Sequence, residues 1–326
     1  MSSIVGALMA FAGFGYWSLA TQGLVYVLIN TVLVWHYSQW RPTVSGITFG
    51  PVRQMFRFSC KILATSITTI INNQVLNILL GRYFGKTQAG VYNQAYQWNF
   101  KCFSLVQNMV NQVAQPVLVD LNADGGRQLN ALRKMMRFTA FISFPLLLGF
   151  GLVAKEFIVL AITEKWLESA RLIQLLCISG AVIPLSTLLS NLIISKGKSD
   201  LYLWCTLCLG LAQILIMVVI YPYGVSTMVV AYVLLNAAWL FVWHFFVWRL
   251  AGYNVLSFLK DIVPFALAAA AVMTLTGIAT QAITNLWLLL LSRIVLAVVL
   301  YYAVMKVARV QILKECEQFV LSKIRK

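Results

Sequence analysis

Gln97, Lys101, Ser104, Asn108, Asn111 and Gln115 follow one another at steps of 4, 3, 4, 3 and 4 residues. Those steps set six polar side chains, one of them a cation, in a single stripe along an α-helix. A second band lies just upstream: Thr65, Ser66, Thr68, Thr69, Asn72, Asn73 and Asn77, all within about half of a helix circumference at ~100° per residue. Amides and hydroxyls both donate and accept, as sugar hydroxyls do, and an ammonium attracts phosphate. Interhelical hydrogen bonding is the competing use of such amides, and snorkelling the competing fate of Lys101. Both bands sit in apolar, membrane-length stretches, where polar groups are costly unless they face a protein interior or a water-filled cavity. The two stretches are therefore expected to line a polar cavity of a transporter. Lys101 would lie about 18 Å along its helix, close to mid-membrane.

The elements that position these groups follow from composition. The chain has 326 residues, of which 61% are hydrophobic and 10% charged. So few charges cannot keep a soluble domain in solution, and the long continuous apolar runs favour helices over a barrel. Windows of about 20 residues give ten segments: 2–14, 17–37, 57–80, 89–116, 134–154, 168–195, 199–221, 224–247, 258–281 and 285–306. The fold class is thus an all-α, polytopic membrane bundle of about ten transmembrane helices, followed by a basic amphipathic tail. Residues 1–12 hold no charge, so no basic region opens a cleavable signal peptide.

The net charge of +16 reads as topology, not as a nucleic-acid surface. With alternating spans, 18 of the 25 basic residues fall on one side and only Arg82, Lys86, Lys155 and Lys165 on the other. The positive-inside rule then places both ends in the cytoplasm. Two charges inside spans stand apart. Arg293, about eight residues into the last span, would snorkel or meet a lipid phosphate, and Arg171 would pair with Glu168 at i, i+3.

Absences narrow the chemistry. No Gly-rich phosphate loop, Ser/His/Asp, Cys/His or paired-carboxylate arrangement is present, so the expectation is a non-enzymatic chain with no cofactor and no metal. All nine acidic residues are assigned to loops, interfaces or the tail, leaving no intramembrane coupling carboxylate. The polar content is expected to be concentrated in the first two polar helices, with plainly apolar helices after them. Cys205 and Cys208 form a C-x-x-C in an apolar helix, read as packing.

Three runs carry a family likeness: GRYFGKTQAGVYNQAY from Gly81 to Tyr96, FPLLLG from Phe144 to Gly149, and EKWLESARLIQLL from Glu164 to Leu176. In order and spacing they resemble the polysaccharide transporter family of the multidrug/oligosaccharidyl-lipid/polysaccharide exporter superfamily, with the colanic acid and O-unit exporters as the nearest likeness. The resemblance implies fourteen helices in two lobes. It places 57–80 and 89–116 as the family's seventh and eighth helices, at a central cavity, and leaves about four amino-terminal helices unaccounted for. The implied organisation is 1–50 as a remnant of the amino-terminal lobe, 51–256 as the carboxy-terminal lobe, 257–306 as two extra helices and 307–326 as a basic cytoplasmic tail. The implied cargo is an undecaprenyl-pyrophosphate-linked oligosaccharide in the bacterial inner membrane, with membrane lipids and other polysaccharide assembly proteins as partners and no nucleic acid. A drug or cation antiporter of the same superfamily, a polymerase or ligase of O-antigen assembly, and an inactive remnant are the alternatives.

Overall fold

The computed structural model describes the backbone of residues 2–38 and 50–324, with side chains omitted at 19, 50–55, 57, 58, 61 and 319–324. Several charges used to orient the chain, namely Arg41, Arg53, Arg57, Lys61, Lys323, Arg325 and Lys326, lie outside the described residues or side chains, as do Phe319, Val320 and Leu321 of the tail. The described elements are helices α1 (Ser2–Phe11), α2 (Tyr16–Tyr37), α3 (Gly50–Asp120), α4 (Gly125–Ala161), α5 (Leu167–Ser195), α6 (Ser199–Ile220), α7 (Val225–Ala251), α8 (Val255–Ala279), α9 (Leu286–Val307) and α10 (Gln311–Ile324), with short 3-10 turns between some of them. Eight of the described helices are long and apolar enough to cross a membrane. This is a polytopic, all-α membrane bundle.

Helix α3 is two helices in one. Gly85 has φ 85° and ψ 175°, a conformation that glycine alone adopts without strain. A Cβ on Gly81 would sit 3.6 Å from that of Ala89, whereas eight residues of straight helix span about 12 Å. The chain therefore folds back at Gly85. The two limbs, 50–84 and 86–120, are the two polar segments read from sequence.

The chain divides into two compact units, residues 1–56 and 57–326. In the first, α1 packs on α2, with Gly6 against Gln22. In the second, α5 is the most enclosed helix, packed on α4 and α7, while α8 and α9 pack on α4. Side-chain hydroxyls tie neighbours together: Ser143 donates to the Ala181 carbonyl at 2.8 Å, and Ser169 to that of Val91 at 2.9 Å. Helix starts are capped where the sequence supplies a cap: Asp124 accepts from the Arg127 N–H, and Asn285 from those of Trp287 and Leu288.

Two of the acidic residues assigned to loops, interfaces or the tail are buried inside the protein. Asp261 of α8 is 3% exposed and Glu156 of α4 is 4% exposed. Asp261 accepts from Arg133 Nε at 2.8 Å and from the Tyr253 hydroxyl at 2.8 Å, with Arg137 Nε at 3.6 Å. Glu156 Oε1 lies 2.9 Å from Arg293 Nη1. Arg133 and Glu156 are 23 residues apart on α4, or about 34 Å of helix, close to the ~30 Å of a bilayer's hydrocarbon. Both charges thus sit near interface depth, but inside the protein. Arg293, expected to snorkel or to meet a lipid phosphate, has its charge met by Glu156. It also donates to the Leu152 carbonyl and the Thr280 hydroxyl, each at 3.2 Å. The partner was invisible in its own helix because it comes from α4. Arg171 and Glu168 are both exposed and form no ion pair.

The tail also packs. Ile312 and Leu313 of α10 are buried, and Glu315 pairs with Lys134 of α4 at 2.7 Å. Cys205 is buried and Cys208 exposed, so the C-x-x-C does not converge on one site.

Removing one partner of a buried pair leaves the other charge uncompensated, at a cost of about 3–5 kcal/mol. Glu156→Gln is accordingly expected to lower the unfolding temperature in detergent sharply, and Glu156→Gln with Arg293→Met to recover at least half of the loss. A double variant as unstable as the single one would show that the pairing is not what matters.

Candidate functional site

The first limb of α3 divides its polar band among three fates. Ser66, Thr68 and Thr69 donate to the carbonyls of Ile62, Ala64 and Thr65 at 2.8–2.9 Å, the back-bonding that serine and threonine adopt within helices. Asn72 is buried, and its Nδ2 donates to the Thr206 carbonyl of α6 at 3.0 Å. The fit depends on glycine: a Cβ at Gly210 would collide with the Asn72 amide. Asn73, one residue on, is half-buried, and Asn77 is half-buried with its Oδ1 unpartnered.

Asn72 and Asn73 open into a pocket of about 180 Å³ inside the second unit, shared with both limbs of α3 and with α5, α6 and α7. Gln107 enters it from the second limb and donates to the Thr187 hydroxyl at 2.9 Å. Tyr202, Gln213, Asn236, Trp239 and Trp243 complete much of the wall. Polar groups therefore come from α5, α6 and α7 as well, which corrects the expectation that plainly apolar helices follow the two polar ones. The signal was present as single amides, Gln213 and Asn236, in otherwise apolar helices. Such residues are costly in a membrane without a partner, but one residue per helix produces no stripe.

The second stripe faces elsewhere. Gln97, Lys101, Asn108, Asn111 and Gln115 are exposed, and Ser104 is partly so. They run for about 27 Å along one side of the limb. The Lys101 ammonium rests 4.0 Å above the Trp98 ring, Ser104 donates to the Lys101 carbonyl at 3.1 Å, and Asn111 Oδ1 accepts from Asn191 Nδ2 at 3.2 Å. Apolar, exposed Leu105, Met109 and Val113 flank the stripe. At ~100° per residue the stripe is turned roughly a quarter-circle or more from the face bearing Phe103 and Gln107. The structure thus separates the nine residues expected to share one cavity: Asn72 and Asn73 line an internal pocket, Asn77 lies beside them, and the other six form an outer polar face.

This geometry offers a cationic, amide-rich surface and, behind it, an uncharged amide- and aromatic-lined pocket. Among the described residues no group of His, Cys, Asp and Glu is arranged to hold a metal ion.

Comparison with known proteins places the chain. Residues 1–171 match the family model described as polysaccharide biosynthesis protein. The chain is 28% identical over 190 residues to an uncharacterized membrane protein in the cps region of Klebsiella pneumoniae, covering 58% of this chain and 38% of that protein. It is 26% identical over 192 residues to the lipopolysaccharide biosynthesis protein WzxC of Escherichia coli strain K12, covering 57% and 39%. The chain spans about two fifths of the length of these relatives. The lipid II flippase MurJ, in an inward closed conformation, shares the fold, with a TM-score of 0.68 over 92% of this chain and 64% of that one at 14% identity.

If the stripe borders water, Lys101→Cys in a background without native cysteines reacts with a membrane-impermeant thiol reagent at least tenfold faster than Leu105→Cys on the apolar flank. Equal, slow labelling of both would remove the aqueous face. Since the matching model covers more than half of the 326 residues, the chain belongs to the polysaccharide biosynthesis family of membrane proteins, in keeping with the polysaccharide transporters that its own motifs resemble.

Proposed function

We propose that this chain takes part in moving a lipid-linked oligosaccharide across the bacterial inner membrane for lipopolysaccharide, capsule or exopolysaccharide assembly. The observation that carries the reading is the exposed stripe from Gln97 to Gln115 on a membrane-length helix. A polar face of that length has no place against hydrocarbon, but it suits one wall of a water-filled cavity. The five uncharged residues exchange hydrogen bonds with sugar hydroxyls, and Lys101 attracts the pyrophosphate that joins sugar to polyprenol. The lipid tail remains in the bilayer while alternating access exposes the cavity to each side. Both ends of the chain face the cytoplasm, and transport proceeds without a covalent step or cofactor. Support comes from the family, whose description names polysaccharide biosynthesis, and from the shared fold of a flippase.

The cellular test is a bacterium whose own exporter of lipid-linked repeat units has been deleted. Expression of this chain is expected to restore surface polysaccharide. Lys101→Glu, placing a carboxylate where the pyrophosphate would sit, is expected to lower it by tenfold or more at equal protein level. Restoration undiminished by Lys101→Glu would remove the phosphate role. No restoration by the unaltered chain at normal membrane levels would count against the flippase reading.

A further inference from the structure

The pocket behind the stripe differs from it in one respect that selects its ligand: none of its lining residues is charged. A phosphate would lose its hydration there without a counter-charge, and a cation would find no carboxylate. Its polar groups are also not self-sufficient. Gln213 is 2% exposed, and its Oε1 has no partner. The indole N–H of Trp239, on the facing helix α7, has none either. One is an acceptor and the other a donor. A hydroxyl group supplies the complementary pair at once, because it donates and accepts.

The aromatic lining gives the rest of the specificity. The Tyr202 and Trp243 rings lie 5.8 Å apart and tilted by 38°, and Trp239 adds a third apolar face. A pyranose ring matches that mixture, with C–H faces for the aromatics and hydroxyls at its edge for the amides. The volume of about 180 Å³ is that of a single ring rather than of a chain of them, being a few times the ~30 Å³ that one water occupies in the liquid.

Resting on the flippase reading, we propose that this pocket is a subsite for one uncharged sugar ring of the cargo, taking a neutral hexose or N-acetylhexosamine. The stripe, on another face of the same limb, receives the charged linkage. The second unit then handles the two chemical ends of the glycan on separate surfaces.

The test is saturation-transfer NMR on the purified chain in detergent, with free glucose, galactose, N-acetylglucosamine, glucuronate and inorganic phosphate as probes, in sodium, potassium and choline chloride. At least one neutral sugar is expected to receive saturation, and glucuronate and phosphate none. Trp239→Phe, which keeps the ring and loses the donor, and Gln213→Leu should each weaken binding about tenfold, the worth of a hydrogen bond to a group otherwise left unpaired. Asn73→Ala, at a half-buried position, repeats the test with less risk to folding, and Leu215→Ala on the exposed face of α6 should change nothing. No saturation of any neutral sugar, or saturation indifferent to the three pocket variants, overturns the proposal. So does a melting temperature raised by sodium or potassium and insensitive to sugar, which would mark an ion site. Lipid-linked glycan movement measured on the same preparation keeps the two ideas apart: transport without sugar binding sinks the subsite alone, and sugar binding without transport sinks the flippase reading alone.

Discussion

Everything in the second unit follows from the cost of an unsatisfied polar group in hydrocarbon. The two bands read from the sequence hold thirteen polar residues along the limbs of α3, and the fold treats these and their polar neighbours in several ways. Hydroxyls near the start of the first limb bond back to their own helix. Asn72 reaches across to the Thr206 carbonyl, and Gln107 to Thr187. The residues of the outer stripe are mostly left exposed. Gln97, Asn108 and Gln115 are exposed along that stripe, and an exposed polar face on a membrane-length helix calls for water or protein beside it rather than hydrocarbon. The reversal at Gly85 matters because it brings both limbs to the same pocket while leaving the stripe outside it.

The same constraint explains how the last helices are held. In a bilayer α8 and α9 gain little from apolar contact, since lipid is as apolar as leucine. Arg133 and Arg137 against Asp261, and Arg293 against Glu156, fasten them to α4 near its two ends. Neither clasp can be released cheaply, because releasing either would leave a buried carboxylate without its partner. α4 is thus held to α8 and α9 by ion pairs, whereas the stripe carries the lighter contacts of Lys101 with Trp98, Ser104 with the Lys101 carbonyl and Asn111 with Asn191.

Much of this was legible in the sequence, because membrane helices declare themselves by length and hydropathy. The segments read as 168–195, 199–221 and 285–306 are found as Leu167–Ser195, Ser199–Ile220 and Leu286–Val307. The stripe was legible too, since six residues at helical spacing make a pattern by themselves. What periodicity could not supply was which face meets which neighbour. Asn72 and Lys101 looked like parts of one cavity, yet the fold turns them to different surfaces. Glu156 and Arg293, 137 residues apart, give no local sign of pairing. Gln213 and Trp239 were overlooked for the opposite reason: a single polar group per apolar helix has no period to detect, and its importance appears only when α6 and α7 face each other.

The most direct measurement reconstitutes the purified chain in liposomes with a fluorescent polyprenyl-pyrophosphate oligosaccharide in both leaflets and quenches the outer leaflet with an impermeant reductant. Movement of the lipid predicts near-complete loss of fluorescence, against a plateau near one half in protein-free vesicles, with Lys101→Gln slowing the second phase. A plateau near one half with the chain present and correctly folded would contradict the account.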